Sequence, residues 1–569
     1  MKYFKLILLL GLFALFISSC GKKSNLGKMI PKEAAVIVHL NSKSILSKLS
    51  WEEIKKSYWY NYLMSDSSIP ATSKAFIDDP AKTGIDLKSD IVFFMLKRTT
   101  SGQGVVEGSL KDSKAFSDFI KNTHPNANFT KDGELNIFKT DTAVIGWNNE
   151  RFAFVTSTNN YNFQGRDTLN DSTNIAVPLA PLSSDSLVSV CKTIFLLNED
   201  NSLYKNERFA NLAGEDGDIH YWLNTSELSK GSMPGKPPGM AGMINLDKFL
   251  VDNISTGTVN FQDGKISGNH KQYFGKELSD ILKKGEGNIN TDMIKRLPSQ
   301  NLAAVFSLHF TPGSLLEIIK LTGLDGFINL FLSSKGLSLD DIVKATKGDI
   351  LFAVNDITIN NDSLKLKGLK DTISDYYRTT DVKYFFAVAI GDKNAFNKMI
   401  SVGKELGKDV APKNSFTKMD DKYYAASNSQ DEINKYFSGP QSTSDFLSKI
   451  NDHPMGAFVD IQMILKALQT KITKDSIGKV YYDRNISMWN NLYVTGGEYK
   501  DGGLISNGEL NLMDKNTNSL KQLNQYVDDI SKVAIEEKKR DKEGWHTEIN
   551  KSPIDSMSEY KKRADRIRK

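Results

Sequence analysis

The amino-acid sequence predicts an α+β fold made of two related tandem units, each a largely antiparallel sheet with helices packed on one face. Three observations lead there. Landmarks recur in the same order in both halves of the chain, and short apolar runs with strand character alternate with amphipathic helical stretches. An Asp-Gly pair between alternating apolar runs also marks a hairpin in each half. Strands that come as hairpins and meanders interrupted by helices pair mostly antiparallel and keep their helices to one side.

The first element is a leader, MKYFKLILLLGLFALFISSC, in which Lys2 and Lys5 precede an apolar run from Leu6 to Ile17 and then small residues. This run is shorter than the about 20 residues that cross a ~30 Å hydrocarbon layer, so residues 1–19 read as a cleaved signal peptide. Ile17-Ser18-Ser19-Cys20 before Gly21 resembles the bacterial lipobox, which implies diacylation of the Cys20 thiol and cleavage just before it. Residues 20–29 are then the lipidated cysteine and a polar tether. Acyl chains, palmitate among them, bury methylenes at about 0.8 kcal/mol each, and two or three of them make membrane attachment stable. Surface-exported lipoproteins of the Bacteroidetes resemble one another in acidic residues after that cysteine. Lys22 and Lys23 stand here instead, and the expected anchor is in the outer membrane, facing the periplasm.

Unit one is expected over residues 30–285 and unit two over residues 297–543. Each opens with a strand followed by a capped helix. In the first these are AAVIVHL (Ala34 to Leu40), Asn41, then Ile45, Leu46 and Leu49; in the second, LAAVFSLHF (Leu302 to Phe310), Thr311-Pro312, then Leu315, Leu316 and Ile319. Gly84-Ile85-Asp86-Leu87 is matched by Gly336-Leu337-Ser338-Leu339, and Asp90-Ile91-Val92-Phe93 by Asp349-Ile350-Leu351-Phe352. Asp112 caps a helix with Ala115, Phe116, Phe119 and Ile120 on one face, and Asp392 caps one with Ala395, Phe396, Met399 and Ile400 at the same spacing. Asp263-Gly264 and Asp501-Gly502 turn the hairpins, and each half closes on a helix, around 276–284 and 516–537. Residues 544–569 read as a charged tail.

With these residues in view, the chain is similar to a family of uncharacterised Bacteroidetes envelope lipoproteins, domain of unknown function 4836. The likeness rests on the lipobox, on Ile30-Pro31-Lys32-Glu33-Ala34-Ala35 before an apolar strand, on Asn41-Ser42-Lys43-Ser44 and on total length. It implies an envelope lipoprotein and no particular activity.

Composition narrows the function by exclusion. With 569 residues, 40% hydrophobic and 25% charged, the chain can bury large cores. The formal net charge is only +5, and Lys2, Lys5 and the basic end of the chain account for it. A neutral body lacks the field that a nucleic-acid partner requires. Cys20 and Cys191 allow neither a disulfide framework nor a Cys-based zinc site, and Cys191 in its apolar run reads as a buried thiol. None of the 7 histidines stands in a His-Glu-x-x-His pair, and no Gly-x-Ser-x-Gly elbow or phosphate loop occurs. No cofactor and no metal are expected, and no residue is assigned a catalytic role.

Two sets of candidate site residues remain. His39 and His309 are expected at equivalent ends of the two opening strands and are the functional candidates, as paired ligands or bases; a half-buried strand histidine bonded to backbone is the plainer reading. Asp followed by Ser or Thr and then a small or aliphatic residue resembles the acceptor of Bacteroidetes O-glycosylation. It places candidate sugars on Thr142, Thr168, Ser172, Ser186, Ser363, Thr372, Ser476 and Ser556. Asp-Ser and Asp-Thr are also ordinary turn and cap dipeptides.

The expected function is that of a membrane-anchored envelope lipoprotein, a non-catalytic binding or scaffold module for an envelope protein or a glycan. The alternative is an envelope hydrolase acting on glycan or peptide, with acids or His39 and His309 assembled by the fold.

Overall fold

The computed structural model describes residues 26–549, apart from residues 70, 98–101, 126–128, 159–160, 165–174, 179–181, 230–246, 286, 299–300, 364–375, 407–414, 443 and 474–475. The fold is α+β and divides into two compact units. The first takes the chain up to Lys43, Ala81–Ala241 and Asp252–Thr258; the second takes Ser44–Pro80, Gly242–Val251 and the chain from Val259 onward. These units cut the chain differently from the halves 30–285 and 297–543, because the segment Ser44–Pro80 packs within the second unit.

In the first unit, β1 (Ala34–Leu40) lies between β2 (Ile91–Lys97) and β5 (Ile219–Asn224), while β3 (Gly102–Ser109) lies between β2 and β4 (Arg151–Thr158). The spatial order is therefore β4-β3-β2-β1-β5, antiparallel throughout. Alternate residues Ile37, Val92, Phe94, Val105, Ala153 and Val155 are buried on one face. The helix Ser184–Phe195 adds Leu187, Cys191 and Ile194 to the core. A Cβ on Gly146 would stand 2.4 Å from the Cys191 sulfur, so Gly is what lets this helix approach the strand Ala143–Trp147. Burial pushes the Cys191 thiol up to about 12, so it is an inert core group, as its apolar run suggested. The Asp112 carboxylate accepts the Ala115 amide at 2.9 Å and starts the helix Ser113–Thr123, whose Phe116 and Ile120 pack with Trp147 and Phe152.

The second unit repeats this arrangement. Its strands are β6 (Lys265–Tyr273), β7 (Leu302–His309), β8 (Thr346–Ser363), β9 (Tyr376–Ile390), β10 (Tyr423–Ser427), β11 (Met455–Asp460), β12 (Trp489–Lys500) and β13 (Gly503–Leu512). Their order is β10-β9-β8-β7-β11-β12-β13-β6. The first five strands of this order match the five of the first unit, position by position. Asp392 caps its helix as Asp112 does, accepting the Ala395 amide at 2.7 Å. The β12–β13 hairpin turns on Asp501 and Gly502, both at positive φ (49° and 86°), the geometry that matches strand twist in a two-residue turn. The core lies on one sheet face: Val305, Leu351, Ala353, Phe385, Ala387 and Ala425 pack with Ile433, Tyr436, Phe446 and Ile450 from the helices Gln430–Ser438 and Phe446–Ile450, and with Met293 and Ile294.

The C-terminal helix, Ser519–Ile549, runs into the segment read as a tail, since its Glu, Lys and Arg are good helix formers; residues 550–569 lie outside the described residues. It holds the helix Tyr58–Ser65 in place. The N-cap residue of that short helix, Ser57, makes no cap bond of its own. Asp528 supplies the cap from the long helix instead, its carboxylate accepting the amides of Tyr58 and of Trp59 (3.1 Å for the latter). Asn524 accepts the Trp59 indole N–H at 3.1 Å and donates to the Ser57 hydroxyl at 2.9 Å. We expect Asp528→Ala to destabilise the second unit by about 1–2 kcal/mol, the cost of losing such a cap. A denaturant titration unchanged by Asp528→Ala would show that the cap is dispensable.

Candidate functional site

Ala304, Phe306 and Leu308 of β7 and Ile350, Phe352 and Val354 of β8 turn away from the core and are also apolar. Phe306 stands opposite Phe352, and Phe352 opposite Phe386. Phe306 and Phe352 remain 38% and 40% exposed. Thr311 and Pro312 turn the chain after β7 into the helix Pro312–Thr322, with Pro at its first turn where the missing N–H is harmless. Every apolar residue of this helix is left at least partly exposed.

Between this helix and the sheet is a cavity of about 420 Å³, lined by Leu308, Met455, Leu504, Leu315, Ile318 and Leu282. Polar groups at its walls come from His270, Gln272, His309, Thr311, Ser314 and Ser506. Its described lining holds no Asp, Glu, Lys or Arg. Burial pushes the His270 imidazole below its ordinary range, which favours the neutral ring.

His309 borders this cavity from the end of β7. Its Nδ1 lies 2.8 Å from Asp349 Oδ1, so Nδ1–H donates to that carboxylate. Gly287 lies against the other edge of the ring: a Cβ there would stand 2.2 Å from Nε2. The Asp349 partner is the aspartate of the recurring Asp-Ile landmark.

His39 meets the equivalent aspartate in its own unit. Its Nε2 lies 3.1 Å from Asp90 Oδ1, close but not aligned as a hydrogen bond, and its Nδ1 lies 3.1 Å from Nδ1 of His220. The two imidazoles stack with centroids 4.8 Å apart. His220 Nε2 is 2.8 Å from the Glu215 carbonyl oxygen, which only accepts, so Nε2 carries a hydrogen. In a neutral ring Nδ1 of His220 is then a bare acceptor, and His39 Nδ1–H donates to it. His220 cannot carry a second proton without facing one N–H with another.

The strand registers correct one expectation. His39 and His309 are not equivalent positions. Leu40 stands opposite Ile91 and Ile219, and Leu308 opposite Ile350 and Met455, so Leu40 corresponds to Leu308. His39 therefore corresponds to Ser307, and His309 to Asn41. The two histidines each find an aspartate, two residues out of phase, within their own units.

Of the candidate glycan sites, Thr142 is exposed in the turn before the strand Ala143–Trp147. Ser476 is exposed at the start of the helix Ser476–Met488. Ser186 sits in the first turn of the helix Ser184–Phe195, its hydroxyl 2.9 Å from that of the capping Ser183. Ser363 ends β8. Cys20, Thr168, Ser172, Thr372 and Ser556 lie outside the described residues. Among the described residues no group of three His, Cys, Asp or Glu is placed to hold a metal ion.

Sequence reasoning did not find the cavity, the partnership of His39 with His220, or Asp90 and Asp349 as histidine partners. A usable signal was present: LAAVFSLHF and DILFAV are apolar at both strand parities, which marks strands with apolar surroundings on both faces.

Residues 27–173 match a family described as a domain of unknown function (DUF4836), in agreement with the likeness carried by Ile30–Ala35 and Asn41–Ser44. No curated protein matches the sequence. Among solved structures, crystal form III of TP0453 is similar at 10% identity over 44% of this chain and 79% of that chain, with a TM-score of 0.23. Crystal form IV of TP0453 is similar at 10% identity over 46% and 87%, with a TM-score of 0.24. At these scores the likeness bears on neither fold nor function.

The His39–His220 pair generates a pH dependence. Burial, with His39 beside it, pushes the His220 pKa below the ordinary value of about 6.5. The unfolded chain then binds a proton that the folded chain refuses, so stability falls as pH drops through about 6.5 toward the lowered folded value. We expect the free energy of opening of β1 and β5, read by amide hydrogen exchange, to be smaller near pH 5.5 than near pH 7. In His220→Asn that difference should shrink, and an undiminished difference would place its source elsewhere.

Proposed function

We propose that this protein is a membrane-tethered, non-catalytic binding module of the cell envelope, lipidated at Cys20 and held in the outer membrane facing the periplasm. The leader with its Ile17-Ser18-Ser19-Cys20 pattern supports the tether, and among the described residues no helix is long and apolar enough to cross a membrane. The observation that carries the binding role is the cavity of the second unit. Its apolar lining, with no Asp, Glu, Lys or Arg among the described residues that line it, suits retention of a ligand rather than the charge stabilisation that bond cleavage requires.

The histidine geometry weighs the same way. A general base needs a ring nitrogen within reach of the proton it removes. His309 commits Nδ1 to Asp349 and packs its Nε2 edge on Gly287, while His39 commits Nδ1 to His220 and has its Nε2 buried beside Asp90. Of the candidate O-glycosylation sites, Thr142 offers an exposed hydroxyl in a turn, where a glycan would project into water.

Separation of envelope and soluble fractions tests the tether. The wild-type chain should sediment with membranes and yield an N-terminal peptide beginning at an acylated Cys20. Cys20→Ala should release the protein or leave it with its uncut leader. A Cys20→Ala protein processed and membrane-bound like the wild type would end the lipoprotein reading.

A further inference from the structure

We infer that the cavity beside the Pro312–Thr322 helix takes the aliphatic chain of a long-chain amphiphile, a deepening that rests on the binding-module reading above. A volume of about 420 Å³ lies within the roughly 300–1,000 Å³ range of small-molecule sites and equals roughly a dozen waters' share of liquid. That much water against walls of Leu308, Met455, Leu504 and Ile318 gives up hydrogen bonds, and an apolar chain that replaces it does not.

The chemistry of the walls selects among ligands. With no Asp, Glu, Lys or Arg in the described lining, and with the His309 Nδ1–H already committed to Asp349, a buried phosphate, carboxylate or ammonium has no counter-charge of its own there, so a charged head is better left outside. A sugar would bury several hydroxyls against walls that are mostly carbon. A peptide would bring backbone N–H and C=O groups that need partners, and the cavity presents side chains of the sheet rather than a free strand edge. An alkyl chain carries no such requirement.

The surroundings extend the site in one direction. Leu308 in the cavity and Phe306 lie two residues apart on β7, hence on the same sheet face. Phe306 continues across the sheet into Phe352 and Phe386, and the first two are substantially exposed. An extended chain would enter beneath Leu315 and lie along this track. Leu315, 41% exposed on the Pro312–Thr322 helix, is the lining residue that also faces solvent, so bulk added there would obstruct entry.

Photo-crosslinking in native membranes carrying the full-length chain tests this. The probe is a diazirine-bearing hexadecanoic acid, with the labelled peptides mapped by mass spectrometry. Label should concentrate on peptides holding residues 308–318 and 504–506. It should be competed by unlabelled hexadecanoic acid but not by butanoic acid. It should also fall by about 10-fold, equivalent to about 1.4 kcal/mol, in Leu315→Trp and in Ser314→Tyr, both outside the buried core. Thermal melting of the two variants checks that they remain folded. Absence of competable label, or label unchanged in both folded variants, overturns the inference. Label confined to the strand peptides bearing Phe306 and Phe352 overturns the cavity assignment while leaving a binding module. A chain that takes no label and also stays on membranes as Cys20→Ala fails both readings.

Discussion

A β-strand turns successive side chains to opposite faces, so a strand that is apolar at every position needs apolar surroundings on both sides. Ala303–Phe306 of β7 and Ile350–Val354 of β8 in the second unit are such stretches, and much of that unit follows from them. Val305, Leu351 and Ala353 enter a fully buried core closed by the helices Gln430–Ser438 and Phe446–Ile450. Phe306, Leu308 and Phe352 turn to the other face, where Leu308 lines the cavity beside the helix Pro312–Thr322 and Phe306 and Phe352 stay substantially exposed. Leaving Phe306 and Phe352 near 40% exposed forgoes on the order of 1 kcal/mol each.

The same five-strand order occurs in both units, and comparing registers shows how a shared topology accommodates different interiors. His39 stands opposite His220 in the first unit, and the corresponding residues in the second are Ser307 opposite Gly456. Two imidazoles are thus replaced by a hydroxymethyl group and no side chain at all. Ile450 fills the vacated room, close enough that a Cβ on Gly456 would stand 2.7 Å from its own Cβ. One unit spends this position on a titratable pair and the other on close helix-to-strand approach. The landmark aspartates Asp90 and Asp349 are kept at the start of equivalent strands and face histidines that come from different positions, with an aligned hydrogen bond only at Asp349.

Local chemistry explains which parts were legible. The caps at Asp112 and Asp392 and the turn at Asp501-Gly502 involve residues within three positions of each other, and their geometry follows from side-chain reach and φ alone. The helix Tyr58–Ser65 illustrates the opposite case. Its cap is a carboxylate from Asp528, far along the chain, so neither its start nor its place in the second unit could be read from neighbouring residues. The cavity is of the same kind, since Leu282, Leu308, Ile318, Met455 and Leu504 meet only through sheet order and helix placement.

What the sequence by itself determined is the α+β class, the strand-to-helix opening at Ala34–Leu40 and at Leu302–His309, the helices capped by Asp112 and Asp392, the turn at Asp501-Gly502 and the buried character of Cys191. These depend on periodicity, on caps and on hydrophobicity, all of which are written locally. Only the tertiary structure decided the division into compact units, the phase between His39 and His309, the partners of each histidine, and the face of β7 and β8 that is left partly open. Register is the physical reason. A shift of two residues keeps every side chain on its face and so leaves the hydrophobic pattern unchanged, yet it exchanges which residues meet across the sheet.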